Sequence, residues 1–442
     1  MLKHSQYNIV LTDKDRVLLY NSITGAFAKL APNEYEEYLS LDFREDEGNS
    51  LLENLKKGMF VVPANFDELV YIQERYNELK HSAKIIGLVI APTLKCNLAC
   101  VYCYQNREEF NKSPLMSSST QKGLISFLRS IIKKDETKSL SVLWYGGEPL
   151  LGLQVIRELT KEFFKIAEEF NIHYTASMIT NGTLITPTIA EELHKLEIKT
   201  FQITLDGDKD THNRKRIYKN GTGTFDRVIN AIKILAKYRD TNITIRVNVD
   251  EEVAKNIDKL LDTLEKEGLK TRVGIYFSRL EKYEYSSPEW GCYIKNLDEY
   301  SKIERNLYKK LVERGFKLNI YPFPRYIPCG AVRDYGNICI DPEGYIYKCW
   351  HEIGVKEKSV GHVNEGSNER LNKWISYTPF SSEQCSTCKL LPVCMGGCPL
   401  RAMEGKRECM TLAQNIKEYL ELAYYAYERQ QRSNLKHAKN GG

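Results

Sequence analysis

Apolar positions change period along the chain, and the changes mark out its elements. Residues 7–11 and 17–20 read as short apolar-rich strands; Asp13-Lys14-Asp15 reads as the turn between them, and 26–30 continues the sheet. Stretches 32–41 and 50–57 then take helical spacing, 59–62 is a further short strand, and Leu69, Ile72, Tyr76 and Leu79 give one apolar face to a helix over 66–79. Together these predict a small winged-helix-like unit, either a cap or a module that binds a peptide. From residue 85, apolar runs at 87–91, 140–145, 174–179, 200–205, 244–250 and 271–277 alternate with helical patterns at 120–132, 154–169, 188–196, 224–238 and 254–267. Parallel strands need such crossovers, so the pattern predicts an α/β fold: a partial (β/α)6 barrel with helices outside and reactive residues on the loops that follow the strands. The alternation breaks around 281–288, a helix is expected near 297–314, and a last one over 411–432. The predicted domains are 1–83, the barrel at 84–285, a bridge at 286–325, a cysteine-rich domain at 326–412 and a helical tail at 413–442.

At 442 residues the chain exceeds what one core usually supports, which agrees with several units. Its net charge of +5 is dispersed instead of gathered in a basic block, so nothing demands nucleic acid. The run Arg214-Lys215-Arg216 reads as a solvated face, or at most a contact for an acidic peptide. No apolar run approaches the roughly 20 residues of a membrane span, and the first residues lack a signal-peptide pattern, so a reducing cytoplasm is expected. Disulfides do not persist there. The twelve cysteines, crowded into two groups, therefore point to metal ligation.

The first group, Cys96-x3-Cys100-x2-Cys103, follows the first barrel strand. Three soft thiolates on one loop suit an iron–sulfur cube with one iron left open; a zinc knuckle would want a fourth ligand, and no residue between Lys95 and Gln105 supplies it. With the aromatic Tyr102 before its third cysteine, the triplet resembles the signature of the radical S-adenosylmethionine (SAM) enzymes, whose fold is a partial TIM-like barrel. The resemblance implies that Cys96, Cys100 and Cys103 hold a [4Fe-4S] cluster whose open iron chelates SAM and cleaves it to a 5′-deoxyadenosyl radical. Gly146, Gly147 and Glu148 end the second strand, where glycines admit a ligand and a carboxylate faces its ammonium group. Thr180 and Asn181 end the third strand, Asp206 the fourth, and Asn248 lies on the fifth; with Tyr102 they are the further candidates for SAM contacts.

The second group runs Cys329, Gly344-x4-Cys349, Cys385-x2-Cys388-x5-Cys394-x3-Cys398 and Cys409. A zinc ribbon would use some of these and leave the rest without work. The whole order resembles the SPASM extension of radical SAM enzymes. That resemblance implies two auxiliary [4Fe-4S] clusters, one on Cys329, Cys349 and Cys398 and one on Cys385, Cys388, Cys394 and Cys409, three clusters in all. The fourth ligand of the first auxiliary cluster is Cys292, Cys339 or a bound substrate. A hairpin pairing Ile340 with Tyr345 puts Cys349 on the face of Ile338 and Ile340 and Cys339 on the other, which favours Cys292 from the bridge.

Enzymes with this extension act mostly on peptides or proteins, and residues 6–80 have the length and element order of the leader-binding modules that open many maturases of ribosomal peptides. The resemblance thus implies an intramolecular crosslink in a precursor peptide, either carbon to carbon, as in the Lys–Trp linkage of streptide-type cyclases, or sulfur to α-carbon, with the leader peptide added to a strand edge. An external donor of flavodoxin or ferredoxin type would supply electrons. The alternatives are an anaerobic sulfatase-maturating enzyme, which makes formylglycine, and a non-catalytic iron–sulfur electron carrier. The sulfatase-maturating family places an acidic residue directly after its G-x4-Cys, where this chain has Trp350; the electron carrier would need neither the first triplet nor Gly146-Gly147-Glu148.

Overall fold

The computed structural model describes residues 1–13, 16–42, 50–281, 293–294, 296–318 and 320–440. Its chain falls into two compact units, one of residues 82–319 and 333–375, the other of residues 1–81, 320–332 and 376–442. Among the described residues no helix is long and apolar enough to cross a membrane.

The first unit is built on a sheet in which Ile85–Ile90, Ser139–Trp144, His173–Thr180, Ile198–Thr204, Asn242–Val249 and Val273–Arg279 lie side by side and parallel, in chain order. Helices Ser118–Ile131, Leu153–Glu169, Pro187–Lys195, Phe225–Leu235 and Glu251–Lys266 make the crossovers. The reasons are local. In Ser139–Trp144 every second side chain, Leu140, Val142 and Trp144, is fully buried. In Glu251–Lys266 the buried Val253, Ile257, Leu260, Leu261 and Leu264 keep helical spacing, and Asp250 caps the start by accepting from the Val253 amide. Burial of each such side chain contributes about 1.5–3 kcal/mol. The fold is thus the expected partial (β/α)6 barrel.

Its open edge is used. Ile338–Ile340 pairs parallel with the first barrel strand, and Tyr345–Tyr347, Gly361–His362 and Gly366–Ser367 follow antiparallel, making ten strands. The hairpin register differs from the expected one: Ile340 faces Ile346 and Cys339 faces Tyr347. Asp341, accepting from the Glu343 and Tyr345 amides, and Gly344 at φ +96° shape a turn one residue longer. A one-residue slip exchanges faces, so Cys339 shares the side of Tyr347 and the face argument against it disappears. Cys339 is fully buried among Val89, Ala91 and Tyr347. Cys292 and the break at 282–288 lie outside the described residues, as do residues 14 and 15 of the first turn.

In the second unit, Asn8–Asp13, Arg16–Asn21 and Phe27–Leu30 form an antiparallel sheet and Leu2–His4 pairs with Val61–Pro63, with helices Pro32–Ser40, Ser50–Lys57 and Glu68–His81. This sheet does not stand alone. Ile9, Leu11, Leu18 and Tyr20 pack on Leu390 and Leu420, and Tyr76 donates to the Tyr377 carbonyl at 2.6 Å, so the amino-terminal segment and the last cysteine-rich segment share one core. The tail expected as one helix is two, Thr411–Gln414 and Ile416–Asn440, because Asn415 leaves helical geometry at φ −132°.

Candidate functional site: two cysteine-lined cavities

A cavity of about 290 Å³ opens at the carboxyl ends of the barrel strands. Cys96, Cys100 and Cys103 line it on the loop after the first strand. The loop is held by its backbone: the Ala99 amide donates to the Ile217 carbonyl at 2.8 Å and the Val101 amide to the Lys215 carbonyl at 3.0 Å. Asn181, after the third strand, donates from Nδ2 to Asn97 at 2.8 Å and reaches the Cys96 sulfur at 3.8 Å. Burial, with Cys100 beside it, pushes the Cys96 thiol up to about 12, so this thiol must release its proton as it binds iron.

Glycine is required at the second strand end. Gly146 has φ +125°, and a Cβ on Gly147 would sit 2.3 Å from the carbonyl oxygens of Leu94 and Lys95. Glu148 is completely enclosed and is absent from the cavity wall. Its carboxylate accepts from Thr180 Oγ1 at 2.8 and 3.0 Å, from the Asn181 amide at 2.8 Å and from the Leu150 amide at 3.1 Å. Burial pushes the carboxyl up while these donors oppose the shift. Glu148 therefore braces the Thr180–Asn181 turn, and it is Gly146, Gly147, Thr180 and Asn181 that face the cavity.

Tyr102 lies at the centre of a buried network. Its hydroxyl donates to Asp206 and accepts from Arg216 Nη1 at 2.8 Å and Asn248 Nδ2 at 3.2 Å; the Asn248 amide donates to Asp206 Oδ1 at 2.7 Å. Burial first, and Asp206 with it, raises the Tyr102 pKa well above the ordinary phenol range, so the hydroxyl stays a donor. Asp206 is fully buried and off the wall, whereas Asn248 is on it. Tyr102→Phe would strip one partner from each of Asp206, Arg216 and Asn248. The expected loss is about 1–3 kcal/mol of stability, read by urea unfolding, with weaker SAM binding; an unchanged midpoint would show that the network holds nothing.

The reading of Arg214-Lys215-Arg216 as a solvated face is corrected. Only Arg214 is exposed, pairing with Glu252. Lys215 is fully buried against Asp250 at 2.6 Å, and Arg216 turns into the cavity wall, where its buried Nε has no protein partner. Three charges in a row look alike in sequence; what separates them is the partner each meets, Glu252 at the surface for Arg214 and the buried Asp250 and Tyr102 for Lys215 and Arg216. Arg246 and Gln202 also line the cavity and were missed. Strand parity could have found Arg246, which stands two residues from Asn248 on the same face. Tyr104, Tyr145, Trp350 and His351 also stand on the wall, Tyr104 stacked on His351 at 4.7 Å between ring centroids and Tyr145 tilted against Trp350 at 5.7 Å.

A second, smaller cavity of about 80 Å³ lies in the other unit, lined by Cys385, Cys388, Cys394 and Cys409 with Arg407. Among the described residues no three Cys, His, Asp or Glu side chains lie close enough to grip a single ion. A cube of iron and sulfide holds its thiolates farther apart than one zinc does, so three sulfurs on the first cavity and four on the second fit clusters. Of the remaining predicted ligands, Cys349 belongs to the barrel unit and Cys329 and Cys398 to the other.

Residues 90–264 match the family model of the radical SAM superfamily. The chain is 24% identical to the radical SAM cyclopropyl synthase TigE of Paramaledivibacter caminithermalis, over 92% of this chain and 91% of that protein. It is 25% identical to the serine-type anaerobic sulfatase-maturating enzyme of Klebsiella aerogenes, over 71% of this chain and 80% of that protein. Its fold resembles that of Streptococcus suis SuiB bound to the precursor peptide SuiA, with a TM-score of 0.50 at 18% identity over 92% of this chain and 98% of SuiB. With the thiolate triplet and the glycine cradle on one cavity, residues 90–264 are a radical SAM domain, a family whose members hold a [4Fe-4S] cluster and SAM.

Proposed function

We propose that the chain closes an intramolecular, carbon-to-carbon crosslink in a ribosomally made precursor peptide, with three [4Fe-4S] clusters and a leader peptide held by residues 6–80. The observation that carries this reading is the cavity wall at Trp350 and His351. Sulfatase-maturating enzymes keep an acidic residue directly after the G-x4-Cys; here that position presents an indole to the cavity. Coverage supports the same reading: the alignment with the cyclopropyl synthase leaves only 8% of this chain outside it, about 35 residues, and so takes in most of the amino-terminal module, whereas the sulfatase-maturating enzyme matches 71%. A cyclopropyl ring is itself a carbon-to-carbon closure, which favours that option over a thioether.

When bound at Cys96, Cys100 and Cys103, the cluster and SAM supply a carbon radical that takes a hydrogen atom from substrate. The chain's own residues do the rest. Gly146 and Gly147 would let the backbone approach SAM, Arg216 would offer a guanidinium to its carboxylate, and Glu148 fixes Thr180 and Asn181 on the same cavity. Ring closure also requires loss of one more electron and a proton; clusters held by the cysteines outside the barrel loop would supply a one-electron acceptor, and a donor of flavodoxin or ferredoxin type would supply the electron that SAM cleavage consumes.

Incubating the enzyme, SAM and reductant with a short precursor encoded beside it is expected to give a product lighter by two hydrogens. A serine converted to an aldehyde shows the same deficit, so the product is also treated with a hydrazide and fragmented. A crosslink is inert to hydrazide and suppresses fragments between the joined residues; a hydrazone would establish the sulfatase-type reaction instead. Leader dependence is tested with a leaderless peptide, since deleting residues 6–80 would strip the core shared with Leu390 and Leu420.

A further inference from the structure

We propose that Arg407 sets the reduction potential of the cluster held by Cys385, Cys388, Cys394 and Cys409, an inference that rests on the reading of that cavity as a cluster site. Arg407 is a cation on the cavity wall. Its Nη1 lies 3.6 Å from the Cys385 sulfur, and the same nitrogen donates to the Gly396 carbonyl at 3.1 Å and to the Tyr377 hydroxyl at 3.3 Å. The guanidinium stands 6.0 Å from the Tyr377 ring centroid.

The surrounding chain is shaped to admit it. Met395, Gly396 and Gly397 follow Cys394 with φ of +50°, +80° and +75°, and a Cβ on Gly396 would sit 2.5 Å from Arg407 Nη1. Glu408, the adjacent acid, also lines the cavity but is paired with Arg401, so its carboxylate has another cation to answer. What remains beside the sulfurs is a positive charge and an N–H aimed at one of them.

Four thiolates and a cube carry net negative charge, and reduction adds one more. A cation and a hydrogen bond to sulfur stabilise the more negative state, so they raise the potential. Cys409 is exposed, which places this cavity at the surface, where electrons are exchanged with a carrier. A raised potential lets the cluster accept the electron that ring closure releases.

The test is a redox titration of the full-length, reconstituted protein followed by electron paramagnetic resonance, the signal being assigned by its loss in Cys385→Ala/Cys388→Ala. Arg407→Gln keeps an N–H and removes the charge: the ratio of reduced to oxidised cluster at a fixed potential is expected to fall about tenfold, which is about 59 mV for one electron. Arg407→Lys restores the charge and is expected to stay within about threefold of wild type. A signal that depends on Cys385 and Cys388 yet keeps its potential in Arg407→Gln overturns this inference alone. Loss of the cluster in both variants also overturns it, because Arg407 would then hold the chain in place instead of tuning the cluster. No signal dependent on these cysteines in the wild type overturns the cluster reading with it.

Discussion

Replacing Cys96, Cys100 and Cys103 together with alanine is expected to abolish cleavage of SAM to 5′-deoxyadenosine and to leave iron bound at Cys385, Cys388, Cys394 and Cys409. The three thiols line a cavity of the barrel unit and the four line a cavity of the other, so no ligand is shared between the two sets. The loop loses the contacts of the Leu98 amide and Asn181 Nδ2 to the Cys96 sulfur but keeps the main-chain bonds of Ala99 and Val101 and the bond from Asn181 to Asn97. Counting 5′-deoxyadenosine by chromatography and iron per chain by absorption separates the two effects. Cleavage persisting in the triple variant would mean that other cysteines carry the radical chemistry. Loss of all iron would mean that the two sets are not independent.

Lys215→Ala is expected to lower stability by about 3–5 kcal/mol, the cost of leaving a buried carboxylate without its cation. Both side chains of the pair have no exposure at all, and Asp250 also caps the helix Glu251–Lys266 through the Val253 amide at 2.9 Å. Without the ammonium, that carboxylate keeps the capping amide alone among these partners. The damage should reach the cluster loop, because the Lys215 carbonyl accepts from Val101. Arg214→Ala is the control: its pair with Glu252 is solvent-facing, and exposed pairs contribute at most about 1 kcal/mol. Urea denaturation of the two variants measures the difference. Equal midpoints would show that burial of Lys215 carries no energetic weight.

Most of the barrel could be read from residue order, because its information is local. A period of two in Leu140, Val142 and Trp144, a helical period in Val253, Ile257, Leu260 and Leu264, and a cap at Asp250 each act within a few residues. The same holds for the chemistry of thiols three or four positions apart, such as Cys96, Cys100 and Cys103, and for Cys385, Cys388, Cys394 and Cys409, which only a short stretch of chain must fold to bring together.

What residue order left open are contacts whose partner lies far along the chain. The hairpin at 338–347 was expected, but its place beside Ile85–Ile90 depends on which barrel edge is left unpaired, and its register on how Asp341 and Gly344 turn. Arg214, Lys215 and Arg216 differ only in what meets them: Glu252, Asp250 and Tyr102, each at least 35 residues away. Glu148 could be placed at a strand end, but whether its carboxylate turned to the cavity or to the Asn181 amide was decided by the neighbouring strand. The amino-terminal sheet read as a separate module because its strands and turns follow one another within residues 7–30; that it buries Ile9, Leu11, Leu18 and Tyr20 against Leu390 and Leu420 is a contact with residues far along the chain, which no local pattern records.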